Sequence, residues 1–376
     1  MREQQRKEKR KEKAITYFDY NLLFIIVFLV GFGMVMLYSS SSYIAANKFG
    51  DAAYFLKLQI RNALIGFALM MFLTFVDYRI WKKFATLAYF AGFGLCCLTL
   101  VPGFQSTANG STRWIKIGPI TFQPSEIAKI AVVIFLAMLL EKVAKKLGKT
   151  ANIVKVILMM LPIIGLVAYT NLSTAIIIFG IAVCMIFVAS KKYIQFAAVG
   201  VLGAIFVAIF SMVGYRSDRI NAWLSPETAG DKGYQTLQGL YAIGSGGFFG
   251  KGLGQSLQKM GNVPESQNDM IFTIICEELG LFGGICVILL FMLLIWRMMI
   301  IANNAQDLFG ALIVVGVMSH VAIQVILNIA VVTNSIPNTG VILPFISYGG
   351  TSFAFLMGEM GLVLSVSRGI RLETIK

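Results

Sequence analysis

Residues 156–190 read VILMMLPIIGLVAYTNLSTAIIIFGIAVCMIFVAS, 35 consecutive positions without Asp, Glu, Lys or Arg. About 20 apolar residues cross the hydrocarbon core as a helix, so this run is too long for one span and about right for two joined at Asn171, Leu172 and Ser173. Uncharged apolar runs recur on both sides of it, centred on residues 22–38, 63–76, 84–101, 127–140, 193–213, 270–296, 308–332 and 345–366. With 156–169 and 174–189 they predict an all-α, polytopic membrane protein of about ten transmembrane helices. Within the long uncharged stretch 308–358, Pro337, Pro344 and Gly349-Gly350 interrupt the pattern where a non-helical turn would sit.

Composition agrees. The 376 residues are 57% hydrophobic and 13% charged, with a mean hydropathy of +0.78, whereas soluble domains carry about 25% charged residues. The first apolar run is long enough to span a bilayer and has no clear small-x-small cleavage site after it, so it reads as a first helix and not as a signal peptide. Cys96, Cys97, Cys184, Cys276 and Cys286 lie in apolar stretches without metal-ligand spacing or the density of a disulfide scaffold, and read as packing residues. A single histidine, His320, excludes multi-histidine metal sites and suits a hydrogen-bonded interior position.

The net charge of +14 reflects Lys and Arg gathered at the N-terminus and between apolar runs, a pattern of orientation on anionic lipid and not of nucleic-acid binding. With the N-terminus inside, 21 of the 32 basic residues fall on the cytoplasmic side, which predicts cytoplasmic N- and C-termini. The chain then divides into a basic segment 1–20, a membrane domain 21–367 and a short tail 368–376. Three polar segments face out: residues 39–56, residues 102–126, and the long extracytoplasmic loop 214–269 between the seventh and eighth helices.

Chemistry is expected on those segments. In the third, Gly244, Gly246, Gly247, Gly250, Gly252 and Gly254 permit tight turns and free backbone N–H groups for an anion; a flexible loop would have the same composition, and no Walker lysine-serine/threonine ending is present. Asp269 ends the loop directly before an apolar helix. Partial desolvation there would make it a better base, and a helix N-cap is the structural alternative. Glu277 and Glu278 lie further into the same helix, where ionisable groups are usually paired or functional, and read as structural. Glu126 and Lys129 share a helix face at i, i+3 spacing and can neutralise one another.

Three blocks together resemble the SEDS family of peptidoglycan polymerases (FtsW, RodA, SpoVE): RWIKIGPITFQPSEIAK (113–129), AIGSGGFFGKGLGQSLQKMGNVPESQNDMIFTIICEELG (242–280) and NIAVVTNSIPNTGVILPFISYGGTS (328–352). YSSSS at 38–42 leans toward the FtsW and SpoVE branch. The resemblance implies a ten-helix fold that polymerises lipid II outside the membrane, in division or shape maintenance, beside a class B penicillin-binding protein and other divisome or elongasome proteins. It carries the family's essential aspartate onto Asp269. Two positions depart from the family pattern: TNLST replaces an acidic Pro-Asp-Leu-Gly-Thr stretch, with Asn171 where an aspartate is usual, and Asn334 replaces a glycine.

Making a β-1,4 bond from the α-linked sugar of lipid II is a single inverting displacement. It needs one base for the attacking 4-hydroxyl, a role that suits Asp269, and charge stabilisation for the departing undecaprenyl diphosphate. Arg113, Lys116, Arg216, Arg219 and Lys251 are the candidates for that anion, the arginines first because guanidinium binds phosphate bidentately. A divalent cation, magnesium or manganese, is the one cofactor this chemistry leaves open. The rival readings are a lipid II transporter, for which intramembrane charge at Glu126, Lys129, Glu277, Glu278 and Glu359 is suited, and a non-catalytic scaffold. No inverted repeat supports transport, and the glycine-rich loop ending in an aspartate favours an enzyme.

Overall fold

The computed structural model describes residues 15–102, 105–108, 111–117, 120–147, 150–190 and 217–372. Its long helices are α1 (Tyr20–Phe49), α2 (Tyr54–Phe75), α3 (Arg79–Leu98), α4 (Pro124–Val143), α5 (Thr150–Thr170), α6 (Leu172–Ala189), α9 (Ile271–Asn303), α10 (Leu308–Val332) and α11 (Thr351–Gly369). Two shorter helices, α7 (Ser217–Leu224) and α8 (Asp231–Ser245), lie in the long loop. Two strands near the chain ends, β1 (Ile15–Thr16) and β5 (Arg371–Leu372), pair antiparallel, and β2 (Gln105–Ala108), β3 (Ser111–Ile117) and β4 (Ile120–Phe122) make a small antiparallel sheet before α4.

Among the described residues six helices are long and apolar enough to cross a membrane: α1, α2, α5 from Ala151, α6, α9 and α10. The remaining long helices α3, α4 and α11 carry more polar groups, several of which are paired. Lys82 of α3 pairs with Glu141 of α4 at 2.5 Å, Lys129 with Glu126 at 3.0 Å, and Glu359 of α11 with His320 of α10 at 2.6 Å. The expected span 193–213 lies outside the described residues, as does Arg216.

The expected break at Asn171 is there. Asn171 caps α6, its Oδ1 accepting from the Thr174 amide at 3.3 Å, so α5 and α6 form a tight helical pair. The last helix begins later than residue 345. Phe345 (φ 64°) and Gly350 (φ 50°) adopt left-handed backbone around Pro344, and the chain becomes helical only at Thr351. α1, by contrast, runs on through Ser39–Ser42 to Phe49, so the first expected outward segment is largely a continuation of the first helix, ended by Gly50 at φ 70°.

α10 is the central helix and packs against α4, α6, α9 and α11. Its polar positions His320, Gln324 and Asn328 recur every four residues and so share one buried face. α9 bends at Gly280 (φ 71°, ψ −170°). A Cβ there would collide with the Gly250 nitrogen and the Phe248 carbonyl, so both the conformation and the close approach of the loop require glycine. Backbone bonds from Lys251 to Glu277 (3.0 Å) and from Leu281 to Gly247 (2.9 Å) fasten the glycine-rich turn to α9 at this bend.

Candidate active site

The non-helical segment between α10 and α11 shows how irregular backbone survives inside a membrane bundle. Each exposed peptide group must find a partner, and side chains of α10 supply several. Asn328 Nδ2 donates to the carbonyls of Asp269 (2.7 Å) and Val341 (2.8 Å), and Gln324 Nε2 to that of Ile342 (3.0 Å). Neighbouring elements dock on the same segment. Ser173 of α6 donates to the Thr339 carbonyl (2.8 Å), Trp223 of α7 to that of Asn334 (2.9 Å), and Asn338 Nδ2 to Gln235 of α8 (3.1 Å). Asn334 holds a left-handed backbone (φ 54°), which asparagine tolerates better than most non-glycine residues, so its departure from the family glycine preserves the turn.

These elements enclose a cavity of about 800 Å³. Asp269 lies on its wall, 7% exposed. The N-cap position of α9 belongs to Met270, and Asp269 Oδ1 has no hydrogen-bond partner among the described residues, so the carboxylate does not cap the helix. Burial pushes this carboxyl up to about 7, reinforced by the negative charge of Glu265 and opposed by its backbone hydrogen bond and by Arg219. A carboxylate tuned to that range is an efficient proton acceptor near neutrality.

The lining also includes Arg113, Arg219, Glu126, Lys129 and Asn171. Arg219 donates to the Asn338 carbonyl at 3.1 Å, which aims α7 over the cavity. Four further buried polar atoms on the wall lack a partner among the described residues: Asn268 Oδ1, Gln324 Oε1, Thr339 Oγ1 and Thr351 Oγ1. Left unsatisfied, such atoms cost stability. Their gathering on one surface prepares it for a ligand rich in hydroxyl and amide groups.

Two of the diphosphate candidates stand elsewhere. Lys116 is exposed on β3 and does not line the cavity. Lys251 is bound to Glu277 at 2.7 Å and to Ser245 at 2.9 Å, also off the wall. Glu277 further accepts from the amides of Leu257 (3.2 Å) and Gln258 (3.3 Å) and from the Ser256 hydroxyl, and Glu278 accepts from Lys259 Nζ (2.8 Å) and Ser39 Oγ (2.7 Å). Both glutamates therefore knit the loop to α9 and α1, as their position in an apolar helix suggests. Sequence reasoning gave no part to Lys259, Glu265, Asn268 or Gln324. The four-residue spacing of His320, Gln324 and Asn328 inside an uncharged run was the available signal for the polar face of α10.

Comparison with known proteins supplies the remaining findings. The family described as "Cell cycle protein" (FTSW_RODA_SPOVE) matches residues 20–372. Stage V sporulation protein E of Bacillus subtilis is 41% identical over 360 residues, covering 93% of this chain and 97% of the relative. A protein of Trichlorobacter lovleyi named probable peptidoglycan glycosyltransferase FtsW is 36% identical, covering 97% of each chain. Among solved structures, a chain described under "Structural coordination of polymerization and crosslinking by a peptidoglycan synthase complex" superposes with a TM-score of 0.76 at 26% identity, over 93% of this chain and 98% of that one. The rod shape determining protein RodA of Thermus thermophilus does so with 0.68 at 25% identity, over 93% and 97%.

Proposed function

The chain belongs to the FtsW/RodA/SpoVE family, and from that premise we propose that its cavity is the polymerising centre of a peptidoglycan glycosyltransferase acting on lipid II in cell division or shape maintenance. The observation that carries this reading is Asp269, a buried carboxylate whose Oδ1 has no hydrogen-bond partner among the described residues, on the wall of a polar cavity large enough for a sugar.

Asp269 takes the proton from the 4-hydroxyl of the acceptor sugar as that oxygen bonds to the anomeric carbon of the donor. The bond from that carbon to the diphosphate oxygen breaks, the electron pair leaves with undecaprenyl diphosphate, and configuration inverts from α to β. The leaving group departs as an anion and needs no second acid, in contrast to a glycosidase. Arg113 and Arg219 on the cavity wall are suited to stabilise the developing charge. Among the described residues no group of three or more His, Cys, Asp or Glu side chains could hold a metal, so the donor set makes no protein cage for a divalent cation. Magnesium or manganese would accompany the diphosphate itself.

Proposed with this is an orientation in which the cavity opens outside the membrane and both termini are cytoplasmic. The concentration of Lys and Arg in the opposite connections supports it. A class B penicillin-binding protein is the proposed partner, supported by the likeness to a peptidoglycan synthase complex chain.

The test is polymerisation of lipid II by the purified protein together with a penicillin-binding partner whose transpeptidase is inactivated. Asp269→Asn keeps the shape and removes the base, and should cost about 10² to 10⁴-fold. Polymerisation by Asp269→Asn near the wild-type rate refutes the base assignment. Passage of lipid II across vesicles without lengthening would make the chain a transporter.

A further inference from the structure

Four ionisable side chains from three helices form one hydrogen-bonded line that starts at the cavity and runs behind its wall. Lys129 Nζ of α4 lies 3.0 Å from Glu126 Oε1 and 2.9 Å from His320 Nε2 of α10, and His320 Nδ1 lies 2.6 Å from Glu359 Oε2 of α11. Glu126 and Lys129 line the cavity. His320 and Glu359 do not, and each is 2% exposed. The base mechanism uses neither of these two.

An ammonium group has three donors and no lone pair, so His320 Nε2 accepts from Lys129. A neutral ring then carries its proton on Nδ1, which donates to Glu359. The carboxylate thereby fixes both the tautomer and the plane of the imidazole, as a carboxylate does for a histidine that binds a metal. Glu126 alone would draw the ammonium along α4. The His320 lone pair holds it across the gap to α10, and with two of its three N–H groups committed, Lys129 keeps one for the cavity.

We propose that His320 and Glu359 are positioning residues that hold the Lys129 ammonium in one orientation on the cavity wall, where it binds the diphosphate of the lipid-linked substrate. This rests on the glycosyltransferase reading given above. Without the pair, Lys129 loses the hydrogen bond that fixes its direction, and the anion loses a pre-set partner. The expected consequence is weaker binding of diphosphate with little change in the binding of the isoprenoid tail.

The experiment measures equilibrium binding of undecaprenyl diphosphate and of undecaprenol, which lacks the phosphates, to the full chain in detergent or nanodiscs. Loss of one hydrogen bond to a charged group corresponds to roughly a tenfold change in affinity. His320→Leu and Glu359→Leu should each raise the Kd for undecaprenyl diphosphate by about tenfold and leave that for undecaprenol unchanged. The double variant should be no worse than either single, because both act through one ammonium. His320→Gln, whose amide oxygen can accept from Lys129, should recover most of the loss. Wild-type diphosphate affinity in both Leu variants, equal weakening toward both lipids, or a Gln variant no better than Leu would each overturn the proposal. Failure of the wild-type protein to bind undecaprenyl diphosphate at all would instead sink the glycosyltransferase reading on which it rests.

Discussion

Glu265→Gln should move the pH profile of polymerisation toward acid. The carboxyl of Asp269 is held near 7 chiefly by burial and secondarily by the charge of Glu265, and a general base works only when deprotonated, so the rate should climb with pH and level off above that value. Through an effective dielectric of about 20, a unit charge is worth roughly 4 kcal/mol at about 4 Å and proportionally less farther off. One pH unit corresponds to about 1.4 kcal/mol. Glu265 is only partly buried, and solvent screening at the cavity mouth reduces its influence, which leaves an expected displacement of about one unit. Glutamine retains an acceptor for Asn268 Nδ2, which bonds Glu265 in the native chain, so the local turn is kept. The assay is the initial rate at saturating lipid II from acid to mildly alkaline pH, wild type beside variant. An unmoved midpoint, or one displaced toward alkali, would show that Asp269 is not the titrating base or that Glu265 does not act on it.

Lys259→Ala should destabilise the protein by about 3–5 kcal/mol, because it leaves the fully buried Glu278 without its cation; a thermal-unfolding series would show this, and adding Glu278→Gln should recover part of the loss. For the orientation, a reporter after Lys376 should be cytoplasmic and an insertion near Thr228 external, and labelling of residues 142–149 from outside intact cells would reverse the assignment.

The membrane architecture was legible because its signal, the length of uncharged apolar runs, is set by the bilayer and needs no tertiary contact. The break at Asn171 is likewise local, fixed by a cap, and the interruption ahead of the last helix was readable from Pro337, Pro344 and Gly349-Gly350, although the helix starts at Thr351 and not near residue 345. Helix ends in polar sequence were not legible. Ser39 to Ser42 look like a loop, yet Ser39 donates to Glu278 and Ser40 and Ser41 to the Leu37 carbonyl, so the hydroxyls are satisfied inside a continuing helix. The three strands between α3 and α4 were also missed, being short and set in sequence that reads only as turn-rich.

At the site, Asp269 was visible from its place at a loop–helix boundary, and the Glu126–Lys129 pair from its spacing. What separated Arg113 and Arg219 from Lys116 and Lys251 was not local. Glu277 claims Lys251 from 26 residues away, and Lys116 is exposed on β3 and off the cavity wall. His320 was legible as an interior hydrogen-bonded residue. Its partners Lys129 and Glu359 are 191 and 39 positions distant, beyond any sequence window.

The pairing of β1 with β5 has a consequence in time. Ile15 meets Leu372 and Thr16 meets Arg371, so the first strand of the described chain waits for residues 371–372 to be made. With synthesis at about 5–20 residues per second, the roughly 350 residues between them take on the order of 20–70 s. Through that interval the helices enter the bilayer one after another with the N-terminal strand unpaired. The strand pair cannot close before β5 has been made, and β5 follows α11, the helix that packs against α2.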